Sequence, residues 1–197
     1  MGVVAEILTF LERRQIDLNP GTWGWVTLTR FGINAPAADT ELLAALIGHP
    51  KFRGLPYDLR KRTEEEKREW AAIRERFIAR ARAAGHSVQI WDEEPVPDHG
   101  PYQLSAISVS SYRRTTAAEA QEELERAAAE YDSPEPTVLA ELEAKVFPLL
   151  RAPSLYQLTD LPQEAEHEHR SFLYAFREFV SINGLTSELV LIMAGYD

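Results

Sequence analysis

The chain of 197 residues contains no cysteine. Disulfides, thiolate nucleophiles and cysteine-ligated zinc or iron–sulfur centres are thereby excluded, and a reducing cytoplasm is the expected compartment. Lysine is scarce: only Lys51, Lys61, Lys67 and Lys145 occur, so almost all positive charge is arginine. That arginine- and alanine-rich composition suits a GC-rich bacterial or phage genome. No apolar run approaches the roughly 20 residues of a membrane-spanning helix. Met1 to Leu11 carries Glu6 and neither Lys nor Arg, so no secretory signal is expected there. Phosphate-cradling glycine motifs are missing, with Gly2, Gly21, Gly24 and Gly32 scattered, and no bound cofactor is expected. Ser105, Ser108, Ser110 and Ser111 form a serine-rich stretch, but none stands in a G-x-S-x-G elbow.

What remains is a globular composition. Hydrophobic residues make up 45%, aromatic residues 10% and charged residues 26%. The length fits a single domain spanning residues 1–197. Net charge is −10, and it is unevenly placed. Residues 1–100 carry 14 basic and 15 acidic side chains, whereas residues 101–197 carry 7 and 16. The second half therefore repels phosphate and attracts a basic protein.

The pattern along the chain mixes helices and strands. Val3, Val4, Ile7, Leu8 and Leu11 recur at helical spacing and predict a helix over 3–14. Trp23, Trp25, Thr27 and Thr29 alternate as in a strand, and both tryptophans read as core. Asp39 is the predicted N-cap of a short helix ending at Gly48. Thr63 and Glu66 open a helix with Trp70, Ile73, Phe77, Ala81 and Ala84 on one stripe. Val88 and Ile90 suit a strand, and so does Tyr102 to Tyr112. Thr116 caps a predicted helix to about Tyr131, and Thr137 to Leu150 forms another. Leu155 to Thr159 reads as a strand. Arg170 to Ile182 fits a helix better than a strand, because Glu178 would fall on the strand's apolar face. Glu188 to Ala194 reads as a buried strand. The expected class is α+β: a mixed or mainly antiparallel sheet of about four to five strands covered by several helices.

Three constellations bear on function. Glu166-His167-Glu168-His169 contains a His-x-His pair, which on a strand points both imidazoles to one face, as a metal site requires. Paired with carboxylates of the proline-stiffened acidic loop Asp92 to His99, His167 and His169 would make a metal-dependent hydrolase site. Alternatively, the His-x-His segment is a solvated lead-in to a helix. Residues 51–62 gather Lys51, Arg53, Arg60, Lys61 and Arg62 around Phe52 and Tyr57, a mixture that suits nucleic acid. Acids interleave just beyond it, as on a solvated helix face. A positive patch here would also meet the acidic half of a second copy, giving a homo-oligomer. Finally, Glu119, Glu122, Glu123, Glu125 and Glu130 lie on a weakly apolar helix and form a candidate acidic partner surface. The reading that composition favours is a non-catalytic, acidic protein-binding module. Its kind would be an inhibitor or immunity protein, an adaptor, or a subunit of a bacterial or phage assembly. The metal-dependent hydrolase and the nucleic-acid-associated protein rank behind it.

Overall fold

The computed structural model describes residues 7–18, 24–52, 98–129, 136–166 and 174–196. The chain divides into two compact units, Met1–Arg53 with Asp98–Asp197, and Gly54–Pro97. The second unit lies outside the described residues, as do the helix read from Thr63 and the strand at Val88. The described residues all belong to the first.

Its centre is a six-stranded sheet in which every described pairing is antiparallel, so the class is α+β. Its strands are β1 (Leu8–Asp17), β2 (Gly24–Ile33), β5 (Tyr112–Arg114), β6 (Ser154–Leu158), β7 (Tyr174–Asn183) and β8 (Glu188–Tyr196). The spatial order is β1-β2-β8-β7-β6-β5. Two further strands, β3 (Asp98–His99) and β4 (Tyr102–Gln103), pair in a small hairpin. The helices are α1 (Asp39–Gly48), α2 (Ala117–Ala128) and α3 (Pro136–Lys145).

The sheet separates two cores. On one face Val26, Leu28, Leu155, Phe179, Val190 and Ile192 pack with Ala120 and Leu124 of α2 and Leu142 of α3. On the other, Phe31, Leu158, Val180, Leu189 and Leu191 pack with Leu42, Leu43 and Leu46 of α1 and with Phe52. Alternation along each strand sends successive side chains to opposite cores, which is why β8 reads as one unbroken apolar run.

Two helices expected from sequence are strands. At the N-terminus, Leu8–Asp17 pairs with β2. The register slips between Phe10 and Glu12, leaving Leu11 as a bulge, and its side chain is exposed. Leu8 sits in one core and Ile16 in the other. An unbroken strand would send both to the same face, since they are eight residues apart; the extra residue inverts the alternation. A strand whose alternation slips by one place imitates a helical repeat. The second case is β7, where Glu178 interrupts the strand pattern and argues for a helix. Glu178 does point into the apolar core, with 1% exposure, and it is met there by His99 and Tyr112.

Other local signals hold in part. Thr116 caps α2: its hydroxyl accepts from the Glu119 amide at 3.2 Å, and Glu119 returns a bond to the Thr116 amide at 2.9 Å. At α1 the cap is Ala38 rather than Asp39, and Glu41 accepts from the Ala38 amide. Asp39 instead accepts a hydrogen bond from Tyr156 at 2.8 Å. The expected strand Tyr102 to Tyr112 is broken by two 3-10 turns, Leu104–Ala106 and Val109–Ser111. Within the second, the Ser108 amide donates to the Ser111 hydroxyl, a local bond that competes with a ladder.

Candidate functional site

A cleft of roughly 350 Å³ opens where β6 parts from β7. The last pair between those strands is Gln157 with Phe179. Beyond it the chain turns toward β5, with the Thr159 amide and hydroxyl both donating to Ser111 O at 2.9 Å. Arg113, Gln157, Leu158, Asp160, Phe176, Arg177 and Glu178 line the gap, with Glu123 reaching in from α2.

The innermost wall is a buried polar cluster. His99, Tyr112 and Glu178 are 0%, 7% and 1% exposed. One carboxylate oxygen of Glu178 accepts from the Tyr112 hydroxyl, and the other faces His99 Nε2. His99 Nδ1 faces the Phe52 carbonyl at 2.6 Å, and its ring stacks on Phe52 with centroids 3.7 Å apart. A carbonyl only accepts, so Nδ1 carries a proton. Nε2 and Glu178 share a hydrogen bond. Every polar side-chain atom in the cluster has a partner, which is what permits a carboxylate at this depth.

Each member is placed by its own element. His99 ends β3, and the turn through Gly100 returns the chain to β4. Gly100 has φ +57°, and a Cβ there would lie 2.5 Å from the Phe176 ring. Only glycine gives the turn both its conformation and this close approach. Phe52 follows the turn after α1, where its amide donates to His49 O at 2.9 Å. Phe52 and His99 thus join the two chain ends that flank residues 53–97 in sequence.

Burial, followed by the charge of Glu178 and the hydrogen bond to it, holds the Tyr112 phenol well above its ordinary value near 10. The folded value exceeds the unfolded one, so this stabilisation is complete below about pH 10 and is lost as pH rises through the tyrosine range. Urea unfolding between about pH 8 and 11 should therefore show wild-type stability falling more steeply than that of Tyr112→Phe. At neutral pH the same variant costs about 1–3 kcal/mol, because Glu178 loses a donor. Parallel pH profiles would refute the assignment.

The residues singled out by sequence are placed as follows. His167 and His169 lie outside the described residues, as do Glu130 and residues 92–97 of the acidic loop. His99 is turned inward on Phe52 and Glu178. Among the described residues no group of three or more His, Asp or Glu side chains is arranged to hold a metal ion. Phe52, read with Tyr57 as a surface for stacking bases, is 0% exposed, and the Lys51 ammonium stands 5.1 Å from the Phe10 ring centre. Trp25 is partly buried against the core, while Trp23 lies outside the described residues.

On α2, Glu119, Glu122 and Glu125 are exposed and Glu123 is half-buried. Hydrogen bonds from the Thr116 amide and the hydroxyls of Thr116 and Thr115 hold the Glu119 carboxyl below its ordinary range. Burial opposes ionisation of Glu123, but bonds from Arg177 and Arg126, both at 2.7 Å, outweigh it and lower its pKa.

Sequence reasoning did not assemble His99, Tyr112 and Glu178, nor Arg113, Gln157 and Arg177. The one available signal was Glu178 itself, an acid at an apolar position of a strand pattern. Comparison with family models, with curated proteins and with solved structures finds no match.

Proposed function

We propose that the chain is a protein-binding module, of the inhibitor, immunity or adaptor kind, that turns an acidic face toward a basic partner. The observation that carries this reading is the polarity of α2. Ala120, Leu124, Ala127 and Ala128 seat the helix in the core, while Glu119, Glu122 and Glu125 face solvent. Arg126 is the only basic residue of that helix, and it is shared between Glu122 and Glu123. Arg177 also pairs with Glu123 and Arg113 acts on Glu119, so the local compensation is partial; a remaining negative field speeds encounter with a cationic surface. The net charge of residues 101–197 has the same sign.

The test is retrieval of the partner from source cells, with stoichiometry read by native mass spectrometry, followed by association kinetics at two salt concentrations. A stoichiometric basic protein is expected. The double variant Glu122→Lys, Glu125→Lys should slow association about tenfold and flatten its salt dependence. The exposed pair of Glu122 with Arg126 adds little to folding, so the melting temperature should hold. Recovery of the chain alone, or unchanged kinetics in the variant, would overturn the reading.

A further inference from the structure

The turn that joins β7 to β8 opens with the sequence Asn183-Gly184. Asn183 is the last residue of β7 and pairs with Glu188, the first of β8. Residues 184–187 between them are exposed. The Asn183 side chain folds forward over this turn. Its Oδ1 accepts from the Leu185 amide at 3.1 Å and from the Thr186 amide at 3.3 Å. That fixes the side-chain amide: the oxygen faces the backbone and the nitrogen faces away. The Gly184 amide, which the side chain reaches over, has no hydrogen-bond acceptor among the described residues.

These are the parts that an intramolecular acyl transfer needs. The Gly184 nitrogen is a free nucleophile with no Cβ beside it to crowd its approach. Its attack on Cγ of Asn183 would put negative charge on Oδ1. Two backbone N–H groups already stand there, as the donors of an oxyanion hole do. The side-chain nitrogen, on the far side, is the leaving group. The other two asparagines lack these parts. Asn19 is followed by Pro20, which has no N–H. Asn34 is followed by Ala35, and its Nδ2 donates to Thr9 at 2.9 Å.

We propose that Asn183 is a self-modifying site, which loses ammonia in the folded chain and becomes aspartate or isoaspartate. The Gly184 nitrogen gives up its proton and bonds to Cγ. The bond from Cγ to Nδ2 breaks, and ammonia leaves with that proton. Water then opens the cyclic imide at either carbonyl. Cleavage at Cγ gives aspartate, and cleavage at the main-chain carbonyl gives isoaspartate. Water enters, ammonia leaves, and nothing is oxidised or reduced. Either product places a carboxylate across from Glu188, whose own charge is taken up by Arg30 at 2.7 Å. Isoaspartate also lengthens the main chain by a methylene at the last rung between β7 and β8. The site does not depend on the protein-binding reading.

The experiment is incubation of the full chain at physiological temperature and mildly alkaline pH, followed by peptide mapping. Mass spectrometry should find a gain of about 1 Da in the peptide holding Asn183, and none in those holding Asn19 or Asn34. Isoaspartyl methyltransferase should label that same peptide. Gly184→Ala should slow the conversion at least about tenfold. A Cβ at Gly184 meets nothing within 4 Å, so this variant should keep the wild-type melting temperature. The chain unfolded in guanidinium chloride gives the rate without the turn, and the folded chain should keep within about tenfold of it. A folded chain slower than that would show that the turn holds the side chain away from Gly184, and would overturn the proposal. So would an unchanged rate in Gly184→Ala.

Discussion

Glu178→Ala should destabilise the protein by about 3–5 kcal/mol, whereas Glu178→Gln should cost about 1–3 kcal/mol. The contrast follows from counting donors. In the alanine variant the Tyr112 hydroxyl and His99 Nε2, both on buried residues, lose their partner. In the glutamine variant both partners keep a hydrogen bond, and one amide N–H is left without an acceptor. Neutral His99 keeps its proton on Nδ1 for the Phe52 carbonyl, and its Nε2 accepts from the new amide. The amide oxygen still accepts from Tyr112. The network survives without a charged group, at the expense of one unpaired amide N–H. Chemical denaturation at neutral pH measures both costs, and nitrogen NMR of His99 reports the tautomer. Equal losses in the two variants would show that the carboxylate's charge, and not its bonding pattern, holds the cluster.

Phe179→Ala should cost about 3–5 kcal/mol through loss of buried area and the cavity left behind. Phe179 is 0% exposed and lies between Gln157 of β6 and Ile192 of β8 in register. It faces the core formed with α2 and α3, whereas Glu178 faces the opposite one. Leu185→Ala, at a side chain 92% exposed in the β7–β8 turn, should stay within about 0.5 kcal/mol. Urea midpoints compare the two directly. A small loss at Phe179 would mean that the neighbouring helices close over the gap.

The elements legible in the sequence are those whose cause is local. Thr116 with Glu119 announces the start of α2 in four residues, and the apolar run from Leu189 announces a strand buried on both faces. The two misread elements have causes that are not local. At β1 a single bulged residue displaces the alternation. At β7 the residue that argued against a strand, Glu178, is tolerated only because His99 and Tyr112 arrive from 79 and 66 residues away. A place where pattern and fold disagree is where a buried polar site is to be sought. The cleft left no comparable mark, because Arg113, Gln157 and Arg177 look like ordinary strand polar residues until β6 diverges from β7.

The bulge at Leu11 also gives β1 a reserve of length. Phe10 pairs with Phe31 and Ile16 with Val26, so five residues of β1 span the distance of four in β2. Losing any one residue between Phe10 and Ile16 would straighten the strand and return both anchors to the partners they have now. Gaining one has no such remedy, since a second surplus residue would have to be accommodated or Ile16 would leave its core. Along this edge the chain tolerates shortening more readily than lengthening, and single-residue deletions should accumulate there in variants that still fold.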